Sequence, residues 1–279
     1  MSQTVSSSLH VTLAGPDGSD ASDPSRGPDP AVLLHSGGMS SRQWRRLLDR
    51  LAPARRVLAP DFLGSGENPV WTDDAPFGFE MDVAAIDELV RSLGRPVHLV
   101  GHSYGGFVAL TLARKNPAAI RSLTVYDPVA FGVLHAANDT EALAGLARAE
   151  AEPVWNDLSR GGVDAWLEVF IDYWNEPGSW RTLPEGTREA FSRVGKKVFK
   201  EVHSLLADRT GSAAYGVVTA PALLLSGEKS PLAARRVVQY LSEAMPRATL
   251  RTIRGAGHMG PITHAGAVND AIDEHIARA

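Results

Sequence analysis

One ten-residue stretch, Val97-His98-Leu99-Val100-Gly101-His102-Ser103-Tyr104-Gly105-Gly106, restricts this chain more than any other. A short apolar run ends in Gly-x-Ser-x-Gly and continues as an apolar, helix-like segment from Phe107 to Lys115. A serine at such a bend belongs neither to the strand ladder nor to the helix, so its hydroxyl projects from the turn. Gly101 and Gly105 have no Cβ and let neighbouring elements close around the bend. The strand before and the helix after give the pattern a context that an isolated match lacks. Ser103 is therefore the candidate nucleophile.

The rest of the chain repeats this strand-then-helix rhythm. Strands are expected at Leu9–Ala14, Ala31–Leu34, Arg56–Ala59, Val97–Val100, Ser122–Tyr126, Ala222–Leu225 and Thr249–Ile253. The stretch from Gly15 to Pro30, dense in Gly, Pro, Asp and Ser, reads as a loop. Between strands, Ser41–Leu51 puts Trp44, Leu47, Leu48 and Leu51 on one face, and Phe79–Leu93 puts Met81, Ala85, Leu89 and Leu93 at helical spacing. Helices also follow at Ala233–Glu243 and Gly266–Ala277. Alternation of this kind predicts a mostly parallel, doubly wound α/β sheet of about eight strands, with chemistry beyond the carboxyl ends of the strands. His35, Asp61, Ser103 and Asp127 all stand at such ends. From Gly132 to about Val218 the strand signal stops and helices take over at Glu141–Ala151, Val163–Trp174 and Pro184–Ala207. The expected organisation is a sheet core of residues 1–131 and 218–279, interrupted by a helical cap at 132–217.

Composition removes several function classes. With no cysteine, a disulfide framework, a thiolate metal site and a cysteine nucleophile are excluded. A net charge of −4 provides no basic face for nucleic acid. No apolar run approaches the roughly 20 residues of a membrane span, and Met1 to Ser8 lack the pattern of a secretory signal. The expectation is a cytoplasmic protein, monomer or homodimer, with no nucleic-acid or membrane partner.

A serine hydroxyl needs a base to become a nucleophile near neutral pH. Of the nine histidines, His258 stands out, because Gly255-Ala256-Gly257-His258-Met259-Gly260-Pro261 carries it on a glycine-rich loop just past the last strand. His102 belongs to the bend and reads as a packing residue.

Five segments in this order resemble the α/β-hydrolase superfamily, in its lid-bearing branch of serine hydrolases. They are Leu33-Leu34-His35-Ser36-Gly37-Gly38, Asp61-Phe62-Leu63-Gly64-Ser65-Gly66, Gly101 to Gly106, Leu224-Leu225-Ser226-Gly227-Glu228, and Gly255 to His258. The resemblance implies acylation of Ser103 and a base-then-acid role for His258. It also implies an oxyanion hole from the N–H groups of Tyr104 and Gly37, with Gly38 as the near alternative for the second donor. Ser36 stands where the family usually has glycine, which would add a hydroxyl beside that hole. Asp61 looks like the family's structural turn rather than a triad member. In most relatives the triad acid lies two residues beyond the Gly-Glu pair, and here that position is Ser230. Two candidates remain: Asp127, at the end of the strand after the nucleophile helix, and Glu228 on the usual strand.

Phe170, Tyr173, Trp174 and Trp180 fall within one short stretch of the expected cap and suggest an apolar ceiling over Ser103. Phe170, Trp174, Trp180, Gly38 and Met259 are the candidate substrate contacts. Such a pocket suits a small to medium hydrophobic carboxylic ester, cleaved without cofactor or metal through an acyl-enzyme. The alternatives are a lactonase, thioesterase or C–C bond hydrolase on the same triad, and, in a different class, a ligand-binding module on this scaffold.

Overall fold

A computed structural model describes residues 9–16, 27–72 and 75–279. The part of the expected loop at residues 17–26 lies outside the described residues. Seven strands form one sheet, where about eight were expected: β1 (Val11–Ala14), β2 (Ala31–Leu34), β3 (Val57–Pro60), β4 (Val97–His102), β5 (Ile120–Tyr126), β6 (Ala222–Gly227) and β7 (Ala248–Ile253). Their order is β1-β3-β2-β4-β5-β6-β7. All neighbours run parallel except the β1 edge, which pairs antiparallel with β3.

The parallel strands are buried on both faces, so they read as unbroken apolar runs. Alternate residues feed opposite layers. In β2, Val32 and Leu34 pack into the layer beneath α2 (Phe79–Ser92) and α3 (Tyr104–Lys115), while Ala31 and Leu33 pack into the layer beneath α1 (Arg45–Leu51). Five helices lie in sequence between β5 and β6: α4 (Gly132–Ala137), α5 (Thr140–Glu150), α6 (Asp164–Trp174), α7 (Ser179–Thr182) and α8 (Glu185–Ala207). They have an apolar cluster of their own around Trp166 and Phe199, and Trp174 and Leu205 join the layer of α2 and α3. The chain closes with α9 (Leu232–Ala244), α10 (Gly260–Thr263) and α11 (Ala265–Arg278).

α2 turns a different face inward from the one its spacing suggested. Phe79, Val83, Ile86 and Val90 are buried, together with Asp82, while Met81 is exposed. The two stripes lie on adjacent parts of the helix, and packing against α3 selects the one carrying phenylalanine and three β-branched residues. That rotation also takes a carboxylate into the core.

β2 and β4 are neighbours although β3 separates them in sequence, so the chain reverses its direction of winding between them. A crevice opens at the carboxyl ends of strands at such a reversal. Here it lies between His35–Gly38, which follow β2, and Ser103, which follows β4. Ser103 has φ 54° and ψ −117° and caps α3 directly. A Cβ at Gly105 would collide with the carbonyl oxygens of Leu34 and His35, and one at Gly101 with that of Gly105. Both glycines are thus demanded by backbone contact. The bend forms only because they let β2, β4 and α3 meet.

Candidate active site

Three side chains from three strand ends form a hydrogen-bonded chain. The Ser103 hydroxyl lies 3.0 Å from His258 Nε2 and donates to it. His258 Nδ1–H donates to Asp127 Oδ2 at 3.2 Å. All three residues are buried. Asp127 adopts φ 42°, an uncommon conformation for a residue other than glycine, just after β5. Its N–H remains in the ladder, bonded to the Leu225 carbonyl.

Two further serines complete the shell of Asp127. Ser226 Oγ donates to Oδ1 at 2.7 Å and Ser230 Oγ donates to Oδ2 at 2.5 Å. Ser230 in turn accepts from the Gly227 N–H. A buried carboxylate needs such donors to offset lost hydration. Glu228 points elsewhere: its Oε2 accepts from the Gly255 N–H at 2.7 Å, which braces the loop before His258. That loop is held twice more, by His102 Nε2–H donating to the His258 carbonyl at 2.9 Å and by Tyr126 Oη donating to the Gly257 carbonyl at 2.7 Å. His102 packs against the loop, with its ring centroid 5.0 Å from that of His258.

Trp174, from the end of α6, stacks on the His258 ring with centroids 3.8 Å apart and an interplanar angle of 19°. With Phe170, Tyr173 and Val129, Trp174 also lines a cavity that touches Ser103, Tyr104 and Gly37. The cavity measures about 30 Å³, room for about one water.

Tyr104 is the first residue of α3, where the helix dipole and free N–H groups favour negative charge. Neither its N–H nor that of Gly37 is spent on a hydrogen bond among the described residues. Gly38, Trp180 and Met259 are not among the side chains around this cavity. Gly38 has φ 75°, and a Cβ there would run into the Phe191 ring. Trp180 packs edge-on against the same ring. Met259 precedes the short helix α10, beyond His258. Ser36 spends its hydroxyl on Gln43 at 3.0 Å. Asp61 ties up loop backbone, accepting from the N–H groups of Ser41 and Glu67.

One wall of the cavity carries a charged group that the sequence reading missed. Lys197 and Glu201, four residues apart on α8, form a buried ion pair, and Lys197 Nζ also reaches Asp82 Oδ2 at 2.8 Å. The same Asp82 oxygen accepts from Tyr104 Oη at 2.8 Å. Both residues fall on the apolar stripe of Val194, Val198, Val202 and Leu205, and that misplaced charge is the signal in the sequence.

Three other histidines are held neutral. Burial pushes His35 and His98 down to about 4 and His102 well below its ordinary value. An unfolded chain protonates these rings near pH 6.5, whereas the fold resists until lower pH, so stability is lost as pH falls from about 6.5 towards 4. His35 and His98 each contribute roughly 3 kcal/mol to that loss. Glu201, pushed up by burial to about 7, acts in the opposite sense but is one group against three. Urea midpoints measured between pH 7 and 4.5 should decline monotonically; a flat or rising series would contradict this balance.

Residues 31–271 match the alpha/beta hydrolase family. The chain belongs to that family. It is 33% identical over 174 residues to the lipase LipV of Mycobacterium tuberculosis, an alignment covering 58% of this chain and 62% of that protein. It is 28% identical over 253 residues to the pimeloyl-[acyl-carrier protein] methyl ester esterase of Chromobacterium violaceum, covering 90% of this chain and 95% of that one. Among solved structures, the enol-lactonase of Burkholderia xenovorans LB400 superposes with a TM-score of 0.69 at 18% identity, over 96% of each chain. That likeness is one of fold. No helix among the described residues is long and apolar enough to cross a membrane.

Proposed function

We propose that this α/β hydrolase cleaves small to medium carboxylic esters with hydrophobic acyl groups, through an acyl-enzyme formed on Ser103. The observation that carries the proposal is the hydrogen-bonded chain Ser103–His258–Asp127 opening on an apolar cavity. The helices of residues 132–217 act as its cap.

As Ser103 Oγ attacks the ester carbonyl, its proton passes to His258 Nε2, and Asp127 stabilises the resulting imidazolium through Nδ1–H. The carbonyl oxygen becomes an oxyanion within reach of the Gly37 and Tyr104 N–H groups. Collapse expels the alcohol, which takes the proton from Nε2 as it leaves. Water then attacks the acyl carbon, gives a proton to the same nitrogen, and the serine is released with the acid. The nucleophile, base and donors all come from the chain, and the sequence of steps calls on no cofactor.

A fluorophosphonate probe should label Ser103 in the folded protein. A series of p-nitrophenyl esters of rising acyl length, run beside lactones and thioesters, should show highest kcat/KM on a short to medium ester. Folded protein that the probe leaves unlabelled would favour a binding module. Labelled protein that turns over lactones or thioesters at least about tenfold faster would replace the ester assignment within the same mechanism.

A further inference from the structure

The apolar cavity at Ser103 has a carboxyl group in its wall, and the charges around that group do not balance. Asp82 accepts three hydrogen bonds, from the Leu63 N–H, Tyr104 Oη and Lys197 Nζ. The Lys197 cation is thus balanced by Asp82. Glu201 shares the same cation through Oε1, which leaves one carboxyl more than the cluster can neutralise. Lys197 and Glu201 are each 1% exposed, and Asp82 is fully buried. An uncompensated carboxylate in such a place is costly unless a proton or a hydrogen-bond donor meets it.

The carboxyl also stands beside the reacting centre. Glu201 Oε2 is 2.8 Å from the point where a Cβ on Gly37 would lie, so it fills the space that a side chain at that position would take. Glu201, Gly37 and Ser103 line the same cavity. A substrate whose carbonyl oxygen sits on the Gly37 N–H brings its α- or β-carbon near that carboxyl. Two other cavity-lining side chains, Trp155 and Tyr173, have Nε1 and Oη atoms that are buried without a hydrogen-bond partner among the described residues.

We propose that Glu201 is a specificity-determining residue that accepts a hydrogen bond from a hydroxyl group on the acyl part of the substrate, close to the scissile carbonyl. This rests on the ester-hydrolase reading above and narrows it, from hydrophobic esters to hydroxyacyl esters with an otherwise apolar chain. Lys197 and Asp82 are positioning residues, fixing the carboxyl from α8 and α2. Burial, which holds the Glu201 carboxyl up near 7, is consistent with a group that gains from a donor. A site built around such a bond discriminates strongly against the analogue that lacks it, because the buried acceptor is then left unpaired.

The test compares methyl butanoate with both enantiomers of methyl 2-hydroxybutanoate and methyl 3-hydroxybutanoate, following acid release by wild-type protein, Glu201→Gln and Glu201→Leu. Wild type should favour one hydroxy ester over the plain ester by at least about 10-fold in kcat/KM. Glu201→Leu should bring that ratio to about one or reverse it, and Glu201→Gln, whose amide oxygen still accepts, should keep part of it. A purely structural carboxyl would lower all rates together and leave the ratio alone. Equal wild-type rates on all the esters would overturn the proposal without recourse to any variant, as would a preference that survives in Glu201→Leu. Fluorophosphonate labelling of the wild type separates the two levels: labelled protein without the preference sinks only the role of Glu201, and unlabelled protein that cleaves none of the esters sinks the hydrolase reading with it.

Discussion

Replacing Ser103 by alanine should abolish fluorophosphonate labelling and lower kcat on any ester substrate by about 10⁴-fold or more. The fold should survive, because the Ser103 hydroxyl has a single side-chain partner, His258 Nε2. The backbone at position 103 holds φ 54°, and alanine takes that conformation no more easily than serine, so little strain is added or relieved. His258→Ala should cost about as much, since a nucleophile without its base and a base without its nucleophile fail at one step. Residual turnover in either variant would reflect the Gly37 and Tyr104 N–H groups, which neither substitution touches. The measurement is kcat on a p-nitrophenyl ester beside a thermal unfolding curve. A Ser103→Ala protein that is folded and still turns over within tenfold of wild type would remove the serine from the mechanism.

Much of the sheet was readable because a parallel strand buried on both faces has a distinctive composition. Ala31–Leu34 and Ala222–Leu225 stand out as short apolar runs, and both are strands. Residues that close a strand, such as Ser103 and Asp127, were visible for the same reason. Their partners across space were harder to see. Nothing in the spacing of Trp174 announces that its indole lies on the His258 ring, because the contact depends on how α6 crosses the strand ends. The face of α2 was missed by a fraction of a turn, since two apolar stripes compete there and tertiary packing chooses between them. The buried cluster of Asp82, Lys197 and Glu201 left only an indirect trace, as charges on the wrong face of α8. The same limit applies to Gly38 and Trp180, which were grouped with the cavity by nearness in sequence. Both meet the Phe191 ring instead.

Asp127→Asn should lower kcat by about 10³–10⁴-fold while leaving the unfolding temperature within a few degrees of wild type. The carboxylate accepts from three groups, His258 Nδ1–H, Ser226 Oγ and Ser230 Oγ. An amide at this position has only one acceptor oxygen, and the two serine donors compete with the imidazole for it. When the amide nitrogen faces Nδ1, the ring takes the tautomer with its proton on Nε2, which can no longer accept from Ser103. Glu228→Gln should stay near wild type, because the glutamine oxygen can still accept from the Gly255 N–H that Glu228 now holds. The informative combination is Asp127→Asn with Ser230→Asp. Ser230 Oγ already lies 2.5 Å from the carboxylate oxygen that meets His258, so an acid at 230 stands close to where the charge is needed. Recovery of at least about tenfold over Asp127→Asn alone would mean that charge beside Nδ1 matters more than which strand delivers it. If Asp127→Asn were fully active and Glu228→Gln inactive, the acid would belong to β6 after all, and the two serines around Asp127 would be packing a structural carboxylate.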